Sequence, residues 1–213
     1  MANAEIAAVR EAQAGNRAAF AVLFERYKHQ IYNYVLRIMG SADDAHDLTQ
    51  DAFVKAYLAL PKVTGEMNFA PWLYRIATNV CRDELRRRKI ISWQPLDALN
   101  TVFRLPQIAP DDPEGEALRR ERAELVRLVL SKLSYKYRLC LVLRECHDLS
   151  CEEIGQVLGI SRQAVKSLLF RAREEFREVY RSAEASGRAT EEPRVVAKGG
   201  SGKGLPLSAG VRP

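Results

Sequence analysis

Three cysteines and a histidine cluster in the second half of the chain, and their side chains could bind a metal ion or undergo redox chemistry. They are Cys140, Cys146, His147 and Cys151. Thiolates and imidazoles are the usual ligands of structural zinc, but the cysteine spacings of six and five residues match no common zinc pattern. Cys81, the remaining cysteine, forms no CxxC pair. We therefore expect free thiols in a reducing compartment, with no metal and no cofactor, and the sequence leaves open a sensing role for the cluster.

A second stretch that could do chemistry is GGSGKG near the C-terminus, which has some features of a phosphate-binding loop. That loop requires a glycine five residues before Gly202 and a Ser or Thr after Lys203, but these positions hold Ala197 and Gly204. Paired carboxylates, a serine with clustered arginine partners and a metal-ligand set are also missing at suitable spacing. We therefore expect no catalytic residues and no enzymatic activity.

Basic residues offer a different chemistry, the binding of nucleic acid, and one cluster lies in MNFAPWLYRIATNVCRDELRRRK, residues 67–89. Pro71 suits the first turn of a helix. One face of that helix is apolar and predicts a core stripe of Trp72, Leu73, Ile76, Ala77 and Val80. The other face carries cations and an amide at helical spacing, namely Arg75, Asn79, Arg82 and Arg86. The charge continues through Arg87, Arg88 and Lys89, where cations also complement the helix dipole.

This cationic face lies next to a loop, Gly65–Pro71, that contains an aromatic residue. Single-stranded DNA is bound by such combinations, because cations follow the phosphates while loop and aromatic groups hold unstacked bases. Viewed alone, the stretch is equally compatible with a solvated cationic face. A membrane-surface helix is disfavoured because the preceding helices need the same apolar stripe for their core.

A helix-turn-helix is predicted in LSCEEIGQVLGISRQAVKSLLFRAREEF, residues 149–176. Ser150 and Glu153 form a capping box, Gly159 permits the left-handed end of the first helix, and Ser161 caps the second. In the second helix an apolar set faces inward, comprising Val165, Leu168, Leu169, Ala172 and Phe176. The alternative is an αα-hairpin with a solvated basic face, but the complete sequence of caps favours a DNA-reading motif.

The exposed residues of the second helix are the candidates for DNA contacts. Those best placed for base edges or adjoining phosphates are Gln163, Lys166, Ser167, Phe170 and Arg171. Arg162, Arg173 and Arg177 also remain outside, and Arg173 and Arg177 are expected to contact phosphates.

A third surface is predicted in DDAHDLTQDAFVKAYLAL, residues 43–60. One row of this helix is a core stripe of Leu48, Ala52, Ala56 and Leu60. Another row mixes acids, an amide and exposed apolar groups, comprising Asp47, Gln50, Asp51, Val54 and Leu58. Such a mixture favours a protein partner over a merely solvated face, although spacing alone leaves both open.

The elements that position these residues are all helical, since helical periodicity dominates and strand alternation is absent. We expect an all-α fold with two small domains, residues 1–90 and 117–182. They are joined by a flexible acidic linker, residues 91–116, that is rich in proline, and are followed by a disordered tail, residues 183–213.

The composition suits a soluble globular protein with a polyanionic partner. The chain has 213 residues, of which 33 are Lys or Arg and 27 are Asp or Glu, and its net charge is +6. No apolar run reaches the length of a membrane span, and the N-terminus does not resemble a signal peptide. We therefore expect a cytoplasmic protein.

These pieces, in this order, resemble the sigma-70 family, specifically the extracytoplasmic-function (ECF, group IV) type of RNA polymerase sigma factor. Five stretches carry the resemblance: AFAVLFERYKHQIYNYVLRI (19–38), DDAHDLTQDAFVKAY (43–57), FAPWLYRIATNVCRDELRRR (69–88), LSYKYRLCLVLRECHDLSCEEIGQVLGIS (133–161) and RQAVKSLLFRARE (162–174). The resemblance implies that the first domain is region 2 and the second is region 4. Promoter recognition and opening, together with core RNA polymerase, would then be the function.

The resemblance also implies roles for individual residues. Asp47, Gln50, Asp51 and Phe53 match the helix that docks on the clamp helices of the polymerase, and for Phe53 the resemblance leaves open packing within the domain in place of docking. Gly65, Glu66, Met67, Asn68 and Phe69, with Arg75, Asn79 and Arg82 nearby, match the surface that melts the −10 element and captures a flipped base. Lys166, Ser167, Phe170 and Arg171 match the residues that meet the −35 element.

The implied partners are core polymerase, through its clamp helices and flap, promoter DNA, and an anti-sigma factor. A conventional helix-turn-helix repressor or activator is the first rival, and it predicts tight operator binding without polymerase. A serine recombinase is the second rival, and the missing catalytic set disfavours it. The sequence names neither the promoter motif, the inducing stimulus nor the anti-sigma factor.

Overall fold

A computed structural model describes residues 2–88 and 116–191, and every regular element in these two ranges is helical, which confirms the all-α prediction. Eight α-helices follow one another: α1 Ala2–Gln13, α2 Arg17–Met39, α3 Ala42–Ala59, α4 Phe69–Arg87, α5 Glu116–Lys132, α6 Tyr135–Leu141, α7 Cys151–Leu158 and α8 Arg162–Glu191. A 3-10 turn, Leu60–Lys62, follows α3, and a π-helical turn, Val142–Cys146, follows α6. The predictions for the linker and for the tail beyond Glu191 lie outside the described residues.

The N-terminal half, α1–α4, is a bundle whose helix ends are specified locally. The side chain of Asn16 accepts hydrogen bonds from the amides of Ala18 and Ala19 at the start of α2. Gly40 ends α2 in the left-handed conformation, with φ 78°, and Ser41 immediately caps α3. Only Gly40 and Ser41 separate the two helices, so the helices must pack side by side.

The predicted core stripes of α3 and α4 are buried. All four residues of the α3 stripe are inside, as are Leu73, Ala77 and Val80 of α4, whereas Trp72 and Ile76 are only half-buried. Tyr74 is also buried, and its hydroxyl reaches the C-terminal half. The apolar side of α4 is therefore wider than its periodicity predicts, because a second domain covers part of it.

The helix-turn-helix forms as predicted from α7 and α8. The capping box of Ser150 and Glu153 is present, Gly159 is left-handed with φ 72°, and Ser161 accepts a hydrogen bond from the amide of Ala164. A further glycine is essential to the turn: a Cβ on Gly155 would lie 2.7 Å from the carbonyl oxygen of Ile160. Only a residue without a side chain lets the turn pack this closely against α7.

Helix α8 ends nine residues later than the predicted boundary at Ser182. The extension, AEASGRATE, consists mainly of good helix formers, and a single glycine in it weakens the helix without ending it. The helix stops two residues before Pro193, which disfavours helical geometry in the residue before it. None of the described helices combines the length and apolar character that a membrane span requires.

The two halves pack against each other, and their buried apolar side chains form one continuous core. At the centre of this domain interface the guanidinium of Arg138, 1% exposed, donates to four backbone carbonyls. Three lie at the C-terminal end of α5 and one at the end of α2: Leu130 (2.8 Å), Ser131 (2.9 Å), Leu133 (3.3 Å) and Ile38 (3.2 Å). Carbonyls at helix C-termini carry partial negative charge, so one buried cation ties two helix ends together.

Candidate nucleic-acid interface

The recognition helix, residues 162–177 of α8, presents its predicted DNA contacts to solvent. Exposed side chains occupy all six expected positions from Arg162 to Arg171, which are Arg162, Gln163, Lys166, Ser167, Phe170 and Arg171. Phe170 is 68% exposed, an unusual degree for a large apolar side chain. The helix is held from beneath by Val165, Leu169 and Ala172, so its outer face is rigid and free for a ligand.

The two predicted phosphate contacts differ from these residues because they already have partners. Arg173 donates to Oε1 of Glu145 at 2.7 Å, and Arg177 pairs with Glu174 one helical turn away. Both pairs are solvent-exposed, and exposed ion pairs contribute little free energy, typically about 0–1 kcal/mol. Either arginine can therefore exchange its carboxylate for a phosphate at small cost.

The loop of residues 63–68 forms a cavity of about 460 Å³ with helix α1. Gly65 supplies the left-handed backbone of the loop, with φ +82°. Met67, Asn68 and Phe69 line the cavity on the side predicted from the sequence. Phe69, however, is 1% exposed and packs against the rings of Tyr27 and Trp72. Its ring therefore lies in the core and meets the cavity only at its rim, and the predicted contact of Phe69 with DNA stays a prediction.

The cationic face of α4 is partly withdrawn from solvent. Arg75 is exposed, but Asn79 and Arg82 are half-buried, and a nitrogen of Arg82 donates to Oδ1 of Asn79 at 2.7 Å. The Nε atoms of Arg82 and Arg86 are buried and have no hydrogen-bond partner within the described ranges. These guanidinium groups retain unused donor capacity, as a site for phosphates or base edges requires.

The basic end of α4 has a structural role that the sequence did not reveal. Arg88 forms a bidentate pair with Asp44 at the start of α3, at 2.7 and 2.9 Å. Arg87 and Arg88 both bind Glu84, and the hydrogen bond from Arg87, followed by that from Arg88, lowers the pKa of this carboxyl below its ordinary value. Arg88 thus fastens α4 to α3, whereas Arg87 pairs within α4, and Lys89 lies outside the described residues.

The predicted partner face of α3 is exposed, with one exception. Asp47, Gln50 and Asp51 are on the surface, next to Val54 and Leu58, which are 57% and 62% exposed. Phe53 is 4% exposed and meets the ring of Phe24 edge-to-face, with 4.8 Å between ring centres. Of the two roles that the resemblance leaves open for Phe53, its burial favours packing, because its position on the helix faces the bundle.

The clustered thiols and imidazole occupy different environments. Cys81 and Cys140 are buried, which raises the pKa of both thiols, that of Cys140 to about 12. Cys146 is exposed and Cys151 is half-buried. His147 packs against the rings of both Tyr34 and Tyr74 in the domain interface. His147 therefore forms a contact between the two halves.

Comparison with known proteins assigns the chain to a family. The profile described as Sigma-70 region 2 matches residues 23–90, and the one described as Sigma-70, region 4 matches residues 123–176. The ECF RNA polymerase sigma factor SigW of Bacillus subtilis is 32% identical over 81% of this chain and 95% of its own length. The ECF RNA polymerase sigma-E factor of Escherichia coli K12 is 35% identical over 78% of this chain and 88% of its own length.

Two solved structures share the fold. CnrH, solved in complex with the cytosolic domain of CnrY, has a TM-score of 0.64 and 25% identity, covering 84% of this chain and 98% of CnrH. RpoE from Bartonella quintana, solved with the anti-sigma factor NepR, has a TM-score of 0.61 and 21% identity, covering 76% and 96%. The chain belongs to the sigma-70 family and is an extracytoplasmic-function sigma factor that acts in promoter recognition and transcription initiation. Proteins of this family are initiation factors and not enzymes.

Proposed function

We propose that the chain is a group IV sigma factor in which residues 1–90 act as region 2 and residues 117–182 as region 4, joined by the acidic linker 91–116. It acts in the cytoplasm and has no catalytic activity of its own. Its proposed partners are core RNA polymerase, promoter DNA and an anti-sigma factor. The anti-sigma partner is proposed because CnrH, which shares the fold, was solved bound to the cytosolic domain of CnrY.

The observation that carries the −35 assignment is the bare outer face of the recognition helix. Lys166, Phe170 and Arg171 are exposed along one side of α8, the helix that follows the turn at Gly159. A helix of this kind fits the major groove, where side chains near its N-terminus read base edges and later cations grip phosphates. Gln163 and Ser167 complete the set of polar groups at the reading end.

The −10 assignment rests on the loop of residues 63–68 and the neighbouring face of α4. Opening a promoter costs about 1.4 kcal/mol of stacking per base-pair step. Stacking of a captured base returns about 1–3 kcal/mol. Since these terms nearly cancel, capture alone cannot open DNA, and the polymerase contacts must supply the rest. We therefore expect the free chain to bind promoter DNA poorly.

The proposed polymerase-docking surface is the exposed row of α3. Its polar groups, Asp47, Gln50 and Asp51, supply specificity. Its apolar groups, Val54 and Leu58, are exposed to solvent in the free chain and would be buried on docking. A rim of charged groups around exposed apolar residues is typical of a protein interface.

Reconstitution with core polymerase tests the proposal, with genome-wide mapping of the transcripts that the holoenzyme makes. The double variant Asp47→Ala, Gln50→Ala should weaken binding to core polymerase about tenfold while its thermal unfolding stays unchanged, because both side chains are exposed. Asp83→Ala, an exposed acid on α4, is the matched control. Tight, sequence-specific DNA binding by the free chain, without stimulation by polymerase, would instead support a conventional repressor.

A further inference from the structure

Helix α1 contributes one wall of the cavity next to the 63–68 loop, although it lies before residue 23, where the match to region 2 begins. Ile6, Val9, Arg10 and Gln13 of α1 face Met67 and Phe69 across this space. Neither the family match nor the sequence patterns gave α1 a role in DNA binding. The cavity exists because α1 and the loop lie at a fixed distance from each other.

Two side chains of α1 determine where the loop lies. The amide nitrogen of Gln13 donates to the carbonyl oxygens of Val63, at 3.0 Å, and Gly65, at 3.3 Å. The guanidinium of Arg10 forms an ion pair with Glu66. That pair is exposed and contributes little, whereas the two bonds of Gln13 fix the loop backbone on either side of residue 64.

The chemistry of the cavity suits a nucleobase. Ile6 and Met67 provide accessible apolar surface for the flat faces of a base, with the buried Val9 and the rim of Phe69 behind them. Asn68 provides an amide group for its polar edge. A volume of about 460 Å³ falls within the range of small-molecule sites, about 300–1,000 Å³.

We propose that α1 is the second wall of the −10 nucleotide site and that Gln13 is a positioning residue, which holds the loop open to receive one unstacked base. The proposal rests on the −10 assignment of the loop made above. Gln13 acts through the backbone of Val63 and Gly65, so its loss changes the shape of the site without removing a group that stacks on DNA.

The test uses holoenzyme assembled from core polymerase and the full chain, with single-stranded oligonucleotides that carry the −10 element of a mapped promoter. Gln13→Ala should lower affinity for the cognate oligonucleotide about 5- to 10-fold, the value of one or two hydrogen bonds. It should also reduce the discrimination between the cognate base and its three substitutes, while binding to oligo-dT stays unchanged. Gln30→Ala, an exposed glutamine on α2, is the control and should match the wild type.

Two further variants separate the possible outcomes. Gln13→Glu keeps the size of the side chain but places carboxylate oxygens against two carbonyls, so it should be at least as defective as Gln13→Ala. Met67→Ala removes a loop side chain and tests the −10 assignment itself. A defect in Met67→Ala with wild-type discrimination in both Gln13 variants would overturn the role of α1 alone. Wild-type behaviour of all three would overturn the −10 assignment.

Discussion

The two surfaces proposed to touch DNA differ in what holds them in place. The recognition helix is supported by its own apolar stripe and by caps within the helix-turn-helix, so it is a self-contained reader. The 63–68 loop is held from distant parts of the chain, by Gln13 on one side and by Glu153 on the other. A rigid surface suits the reading of intact duplex, whereas the shape of the loop depends on contacts that distant parts of the chain supply.

The largest expected effect tests whether the two halves are one folding unit. Arg138→Ala would leave four buried carbonyls without this donor, and each buried acceptor left unsatisfied typically costs about 1–3 kcal/mol. Urea unfolding should show this loss in the free energy of unfolding, while Arg181→Ala, an exposed control, should change it by less than about 0.5 kcal/mol. A loss of under ~1 kcal/mol for Arg138→Ala would mean that the domain interface forms without this cation.

The self-contained character of the recognition helix can be broken at one glycine. In Gly155→Ala the new Cβ would meet the backbone oxygen of Ile160 at 2.7 Å, and such overpacking typically costs about 1–3 kcal/mol. Circular dichroism and thermal melting should show the destabilisation, and −35 recognition should fall with it. The neighbouring exposed position supplies a control, Gln156→Ala, which should melt like the wild type. A stable Gly155→Ala protein would show that the turn can move away from α7.

Much of the helix-turn-helix could be predicted from sequence because its determinants are neighbours. Ser150 and Glu153 are three residues apart, and Gly159 and Ser161 lie at the two ends of the short turn that joins the helices. The loop site could not be predicted in the same way, since its supports lie far away in sequence. Gln13 and Val63 are 50 residues apart, Arg10 and Glu66 are 56 apart, and Asn68 and Glu153 are 85 apart.

The same distinction explains the burial of two phenylalanines. The family resemblance placed Phe53 and Phe69 among functional side chains but could not say which neighbouring helix would cover them. Phe24 covers the first, and Tyr27 and Trp72 cover the second. One local signal could have indicated the domain interface: Arg138 is the sole charge in the run YRLCLVL, and a lone cation at a core position needs a buried set of acceptors.

Within the recognition helix, partnered and unpartnered cations should behave differently. Arg171 is exposed and without a partner in the part of the chain that the structure describes, whereas Arg173 is paired with Glu145. Arg171→Ala should weaken binding to the −35 element by about 1–3 kcal/mol, which lowers transcription from a promoter that has this element. It should also relax the sequence preference at −35. Arg173→Ala should weaken binding more evenly across sequences and reduce the salt dependence. Unchanged −35 preference in Arg171→Ala, measured on a promoter library, would remove this residue from the reading surface.

The smallest expected effect concerns acid and the contact between the halves. Burial and, to a lesser extent, the nearby Arg37 together lower the pKa of His147 to about 4, while Asp148 opposes them. The ring also faces the hydroxyl of Tyr74, 2.8 Å from Nδ1, and the ring of Tyr34. The unfolded chain binds a proton here near pH 6.5 and the folded chain only near pH 4, so the contribution of this residue is lost as the pH falls through that window.

A matched variant isolates this contribution from the carboxylates that titrate below it. His147→Phe keeps an aromatic ring against Tyr34 and Tyr74 but cannot take up a proton. The difference in unfolding free energy between wild type and variant should therefore move against the wild type between pH 7 and pH 5, as urea unfolding at each pH would show. A difference that is constant with pH would mean that His147 binds its proton equally well in the folded and the unfolded chain. The polar contacts that join the two halves would then be independent of this histidine and would rest on Arg138 and on the hydrogen bond between Asn68 and Glu153.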